Sequence, residues 1–208
     1  MKKIIKDALV LFAITLISGL LLGVVYKVTK KPIEEQNEKT KIAAYNNVFD
    51  KLETYEEITA LEAAQDAIKE AGYTAVTLNE AVRAFDASGK ELGMIITVTD
   101  ADGYGGTIKM TLGVDVSGTI TGLEILDISE TAGLGMKAKD AAFREQFAGI
   151  KAERVEYTKS GKTKDNEIDA ISSATITTKA VTAGVNGALE AYRILGDSPS
   201  AKGGDVSE

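Results

Sequence analysis

Residues 81–128 read AVRAFDASGKELGMIITVTDADGYGGTIKMTLGVDVSGTITGLEILDI, and this stretch decides the fold. Ala81–Asp86 and Leu92–Thr99 flank Ala87-Ser88-Gly89-Lys90, a hairpin signal, and Thr107–Val114 and Thr119–Ile128 flank a second, Asp115-Val116-Ser117-Gly118. The Asp102-Gly103-Tyr104-Gly105-Gly106 loop joins the two hairpins. An antiparallel sheet beginning near residue 74 is expected. Around it the period turns helical. Residues 59–71 form a helical pattern that ends at Gly72, a C-cap signal. Residues 138–148 read as a short amphipathic helix with Ala142, Phe143 and Phe147 on one side. A strand near Arg154–Thr158 leads into a polar, Lys-rich loop at 159–168. An Ala/Val-rich helix runs from Ser173 to about Leu195, and the polar tail 196–208 has a disordered composition. The class is α+β, an antiparallel sheet flanked by helices.

Residues 8–26 carry no charge and are bracketed by Lys on both sides. At about 1.5 Å per residue, such a run nearly matches a hydrocarbon core of roughly 30 Å. It is longer than a signal-peptide core and no A-x-A cleavage site follows, so it reads as a retained anchor. Tyr26 falls at the interface and Lys27, Lys30 and Lys31 among the lipid headgroups. The expected organisation is a membrane anchor over 1–31, a helical connector over 32–73, a folded domain over 74–195 and the tail.

The 208 residues include no His, Cys or Trp. This excludes disulfides, protein-ligated iron–sulfur clusters, a Ser-His-Asp triad and the usual catalytic zinc site. No catalytic constellation and no metal site emerges, so hard chemistry here needs a cofactor. Charge is divided unevenly. Residues 1–31 hold six Lys and one Asp, a net +5, whereas the remainder holds 18 basic and 30 acidic residues, a net −12. A chain so acidic beyond its anchor is not a nucleic-acid binder.

Asp169-Ala170-Ile171-Ser172-Ser173-Ala174-Thr175-Ile176-Thr177-Thr178 places five hydroxyls within seven residues where the last helix starts. One of Ser172 or Ser173 is expected as the N-cap. One cap does not need five hydroxyls, and a helix start with free N–H groups also suits a phosphate. The glycines of 103–106 and 133–135 have two readings. They turn one strand into the next, or they leave bare backbone for a ligand to approach closely. Glu130 either bonds a ligand's polar edge or caps the helix after 138, and Lys137 either faces a ligand's negative charge or is simply exposed.

Three elements resemble a known family. Asp169-Ala170-Ile171-Ser172-Ser173-Ala174-Thr175 resembles the Asp-x-x-(Ser/Thr)-Gly-Ala-Thr signature, at which a flavin transferase joins FMN through its phosphate to the last Thr. Gly103-Tyr104-Gly105-Gly106-Thr107-Ile108 resembles that family's Gly-Tyr-Gly-Gly-x-Ile loop. Glu130-Thr131-Ala132-Gly133-Leu134-Gly135-Met136-Lys137 resembles its Glu-Thr-Pro-Gly-Leu-Gly-x-Lys element. With the anchor, the resemblance covers roughly residues 5–195. It is to the G subunits of Rnf electron transport complexes, related to the C subunits of sodium-pumping NADH:quinone reductases. Ser173 stands in place of Gly and Ala132 in place of Pro. If the backbone at 173 needs φ > 0, Ser costs about 1 kcal/mol relative to Gly.

The resemblance implies covalent FMN on Thr175, held by Asp169, Ser172, Ser173, Ala174, Glu130, Thr131, Gly133, Leu134, Gly135 and Lys137. Leu134 would lie over the ring, and Thr177 and Thr178 are alternative acceptors further into the helix. It also implies a relay protein without substrate turnover of its own, in an ion-translocating ferredoxin:NAD⁺ oxidoreductase complex. Its partners would be the membrane and iron–sulfur subunits, the flavin transferase and membrane lipid. The protein would be a single-pass protein of the cytoplasmic membrane with its C-terminal domain on the outer face. The alternative is a non-catalytic ligand-binding or assembly module of the same fold, with Thr175 unmodified.

Overall fold

The structure is a computed structural model that describes residues 2–196. The polar tail beyond Gly196 lies outside the described residues. The chain forms two compact units, one ending at Ile42 and one beginning at Ala43.

Helix α1 (Lys2–Val48) carries the whole first unit and continues into the start of the second; within the first unit it is long and apolar enough to cross a membrane, with its apolar window wholly exposed. The hydroxyls of Thr15 and Thr29 donate to the carbonyls of Leu11 (3.1 Å) and Val25 (2.9 Å), so these polar groups are satisfied within the helix, as lipid requires. The helix does not stop at Pro32. Pro32 removes one N–H from the ladder, and the i,i+4 pairs Lys30–Glu34 (3.8 Å) and Lys31–Glu35 (3.9 Å) bracket it on an exposed surface.

The second unit is built on a five-stranded antiparallel sheet in chain order: β1 (Thr54–Glu57), β2 (Val76–Phe85), β3 (Glu91–Asp100), β4 (Ile108–Asp115) and β5 (Ile120–Ile128). Both expected hairpins form. Asp86 Oδ1 accepts the N–H groups of Ser88 and Lys90 in the first turn, and Asp115 Oδ1 accepts those of Ser117 and Thr119 in the second. Met94, Ile96 and Val98 of β3, with Ile108, Met110, Leu112 and Val114 of β4, face α2 (Glu62–Glu70) and α4 (Thr175–Gly196). The C-cap of α2 is Ala71 rather than Gly72; Gly72, at φ +93, is the left-handed residue just after it and turns the chain away.

The opposite face of the sheet takes the end of α1. Tyr45, Val48 and Phe49 pack there with Val82, Ala84 and Ile95. Gly113 and Gly122 are cross-strand partners, and their missing side chains make the seat for Val48. A Cβ on Gly113 would fall 2.8 Å from Val48 Cβ, and one on Gly122 would fall 3.3 Å from Val48 Cα. The expected division at residue 74 is therefore corrected. Residues 43–73 supply an edge strand, a helix and one whole core face, and are no connector.

Two further local expectations change. Residues 135–147 form two 3-10 turns, Gly135–Lys139 and Glu145–Phe147, around a single helical turn α3 (Ala141–Arg144). Phe143 and Phe147 are buried edge to face at 5.6 Å, but Ala142 is exposed, because the helical period is broken. The Lys-rich loop also ends in a strand: β6 (Glu156–Thr158) pairs in parallel with β7 (Glu167–Asp169). Ile108 pairs with Ile128, so the 101–107 and 129–137 loops leave the sheet side by side. That pairing creates the site.

Candidate functional site

A cleft of about 540 Å³ opens between those two loops and the start of α4. This lies within the roughly 300–1,000 Å³ of small-molecule sites. Its lining is Tyr104 from the first loop, Glu130, Thr131, Leu134 and Gly135 from the second, and Ser173–Thr177 from the helix start. Tyr104, Leu134 and Ile176 are exposed by 70%, 40% and 51%, which leaves three apolar surfaces bare around one opening.

Glycine sets the closeness of these elements. A Cβ on Gly135 would lie 2.6 Å from Thr177 Oγ1 and 2.7 Å from Glu130 Oε2. One on Gly103 would lie 3.0 Å from Glu130 Oε1. The Glu130 carboxylate is thus wedged between the two loops. Its Oε1 is buried without a hydrogen-bond partner, so a donor is owed to this position. Glu130 does not cap the turn after 138: Asp140 precedes α3, and no side chain hydrogen-bonds as its cap.

The helix start is organised by Thr178, whose hydroxyl donates to the Ala174 carbonyl and accepts the Ile171 N–H, both at 3.0 Å. The Ala174 N–H donates to the Ile171 carbonyl, and the first bond into the helix is Thr178 N–H to Ala174 O. Among the described residues, the N–H groups of Thr175, Ile176 and Thr177 therefore have no acceptor. Neither serine supplies the expected N-cap. Ala174 immediately precedes the helix, and Ser172 and Ser173 are both exposed. Ser173 instead sits at φ +61, the sole non-glycine residue at positive φ among those described. A left-handed residue just ahead of free N–H groups makes an anion-binding concavity, reinforced by the positive end of the helix dipole.

Of the residues expected as ligands, the cleft brings together Glu130, Thr131, Leu134, Gly135, Ser173, Ala174 and Thr175. Thr175 is half-buried, and among the described residues its hydroxyl has no partner. The structure does not place Asp169, Ser172, Gly133 or Lys137 on the lining. Asp169 is exposed at the end of β7, its N–H bonded to Gln146 Oε1 at 2.7 Å. Gly133, at φ +77, turns the loop. Lys137 is exposed in the first 3-10 turn. The lining also holds Tyr104, Ile176 and Thr177, which are absent from the expected ligand set. Tyr104 belongs to the Gly-Tyr-Gly-Gly loop, and its isolation among glycines is the signal that could have found it.

The FMN-binding domain family matches residues 103–190, which contain the whole lining, and the RnfG N-terminal region matches residues 1–48. Over 196 residues the chain is 33% identical to the G subunit of the Na⁺-translocating ferredoxin:NAD⁺ oxidoreductase complex of Acetobacterium woodii, covering 93% of this chain and 94% of that one. The chain belongs to the RnfG family. A second member, the G subunit of the proton-translocating ferredoxin:NAD⁺ oxidoreductase complex of Clostridium ljungdahlii, is 30% identical over 202 residues, covering 89% of this chain and 93% of its own. The C subunit of the Na⁺-translocating NADH-quinone reductase from Parabacteroides distasonis shares the fold. Its TM-score is 0.58 at 20% identity, with 82% of this chain and 98% of that one covered.

The residues lining the cleft fit FMN, the group named by the domain that matches residues 103–190. The three bare apolar side chains suit the flat ring, the orphaned Glu130 Oε1 suits a ring N–H, and the N–H groups of Thr175–Thr177 suit the phosphate. The hydroxyls at the helix start differ in accessibility. Thr178 is fully buried with both functions of its hydroxyl used, and Thr177 is 1% exposed, whereas Thr175 opens onto the cleft.

Proposed function

We propose that this RnfG family member is the flavin-carrying relay of an ion-translocating ferredoxin:NAD⁺ oxidoreductase complex, with FMN joined through its phosphate to Thr175 Oγ1. The observation that carries the reading is the position of Thr175: an unpartnered hydroxyl on the cleft wall, beside three free N–H groups. Bound FMN supplies reversible one- and two-electron transfer, the hard chemistry that a cofactor rather than the chain's own side chains carries.

Residues of the chain do the rest. The N–H groups of Thr175, Ile176 and Thr177 hold the phosphate oxygens and offset their charge. Tyr104, Leu134 and Ile176 cover the ring and exclude water from it. Glu130 Oε1 accepts a ring N–H and fixes its orientation, with Thr131 beside it. Ser173 and Ala174 set the direction in which Thr175 emerges. Asp169, Ser172, Gly133 and Lys137 act outside the cleft wall: the first two at the approach of the flavin transferase, Gly133 in the turn before Leu134, and Lys137 as an exposed counter-charge.

Residues 8–26 anchor the protein in the cytoplasmic membrane, with the acidic domain on the outer face. Its partners are the membrane and iron–sulfur subunits of the complex and the surrounding lipid. The other reading, an unmodified ligand-binding or assembly module, is favoured by one observation: Ser173 where the signature carries Gly, at a positive φ.

Co-expression with a flavin transferase separates the two. The denatured wild-type band fluoresces as flavin and the Thr175→Ala band stays dark. A dark wild-type band, or a Thr175→Ala band of equal intensity, overturns covalent attachment at this residue.

A further inference from the structure

A second cavity, of about 440 Å³, shares no lining residue with the flavin cleft. It lies between the 72–75 turn, the end of β3, β6 and the flank of α4. Asp100 lines it while only 1% exposed. Its Oδ1 accepts the Asp102 N–H at 2.7 Å, but its Oδ2 is buried without a partner. The other buried polar side chains on this wall are accounted for. Asn186 Oδ1 accepts the Val155 N–H at 2.7 Å, its Nδ2 donates to the Val155 carbonyl at 3.0 Å, and Thr182 donates to the Thr178 carbonyl at 2.8 Å. A buried carboxylate oxygen left empty is a specific demand for a donor.

Three features define that donor. The empty acceptor is a carboxylate oxygen, which binds a cationic donor more strongly than a neutral one, whereas the Glu156 carboxylate on the lining already pairs with Lys164 at 3.5 Å. Half-buried Tyr73 and Tyr157 offer ring faces to a cationic head or an alkyl chain. Among the described residues, no three acidic side chains converge as a metal site would need. An alkyl primary ammonium satisfies all three: its head has three donors, and its chain suits the aromatic wall.

We propose that this cavity binds a small primary alkylamine as its ammonium ion, with the head donating to Asp100 Oδ2 and the chain against Tyr73 and Tyr157. The hydroxyl of Thr182, whose proton is already directed to Thr178, accepts a second donor of the head. Burial pushes the Asp100 carboxyl above its ordinary range. Binding the ammonium ionises it, so affinity rises with pH as that carboxyl titrates. Asp102, Glu156, Lys179, Arg154, Tyr73 and Tyr157 face the same cavity, and Asp100→Asn isolates the share due to Asp100. The site stands whether or not Thr175 carries flavin.

The test is calorimetric titration of the full chain in detergent with n-butylammonium chloride, against butyrate and NaCl at matched ionic strength. A saturable single site for the amine alone is expected, weakened roughly tenfold or more in Asp100→Asn and losing its pH dependence there. Lys179→Gln, which removes a competing cation, tightens binding. Absence of saturation by about 50 mM amine, or unchanged affinity in Asp100→Asn, overturns the proposal. Should Asp100→Asn not fold, Tyr157→Ala serves instead: a several-fold loss supports the site, and an unchanged affinity overturns it.

Discussion

Ser173→Gly should make the protein more stable, and the structure supplies the size of the effect. At φ +61 a non-glycine residue carries a left-handed penalty of about 1–2 kcal/mol. Glycine removes that penalty but returns about 0.5–1 kcal/mol through the greater freedom of the unfolded chain. Ser173 is exposed, so replacing it loses no burial. Taken at their midpoints, the two leave a net gain of about 0.8 kcal/mol. For a protein of this size that raises Tm by about 1–4 °C. Ser173→Ala keeps the strain and should stay within about 0.5 kcal/mol of wild type. The assay is thermal and urea unfolding of the full chain in detergent, followed by circular dichroism, with no flavin loaded. A Gly variant that melts no higher than wild type refutes the effect. An Ala variant as stable as Gly refutes it equally, because the gain then owes nothing to positive φ.

Three further outcomes follow from named contacts. Gly135→Ala forces a methyl against Thr177 Oγ1 and Glu130, and should cost about 1–3 kcal/mol in unfolding experiments while reducing retained flavin. Gly113→Val drives Val48 off the sheet, with a similar cost by urea unfolding, although it lies outside the cleft; unchanged flavin content in the folded fraction would show that the two effects separate. Glu167 Oε2 accepts the Thr163 N–H at 2.8 Å and the Lys164 N–H at 3.2 Å, which holds its carboxyl down to about 2. Its stabilisation is therefore complete above the ordinary carboxylate range and lost as pH falls toward about 2. Amide exchange in the 159–168 loop should be faster in Glu167→Gln than in wild type at pH 6, and most of the difference should be gone by pH 2, where the carboxyl is half protonated.

The sheet is legible in the sequence because its two middle hairpins carry turn residues that act locally. Asp86 and Asp115 close their own loops through side-chain bonds, and the strands between them are apolar enough to be recognised without knowing their partners. The part assigned to a connector is not legible. The mostly exposed β1, Thr54–Glu57, has a single aromatic, Tyr55, whose edge-to-face contact with Tyr45 at 5.4 Å and whose pairing with β2 both depend on partners distant in the sequence. The role of Tyr45 and Val48 likewise depends on a seat formed by two glycines on other strands. β7 escapes notice because a three-residue strand has too few positions to show a period.

At the candidate site, the motifs name the loops that line the cleft but not their inner order. Thr175 stands out by its place in the signature, whereas Asp169 belongs to the same seven residues and ends outside the cleft. Ser172 and Ser173 look like caps because the residue type favours capping. The chain uses Thr178, seven residues beyond Ile171, to tie the turn instead. Serine at position 173 does carry the conformational cost anticipated for it, since the backbone there adopts positive φ.

The central claim is that Thr175 carries FMN through a phosphoester. Intact-mass measurement of the protein from its native complex, followed by fragmentation of the peptide spanning 169–179, tests it directly. The predicted result is a gain of one FMN less one water, with the added mass on Thr175 and none on Ser172, Ser173, Thr177 or Thr178. An unmodified mass in the native complex, or the flavin on any of those other hydroxyls, contradicts it.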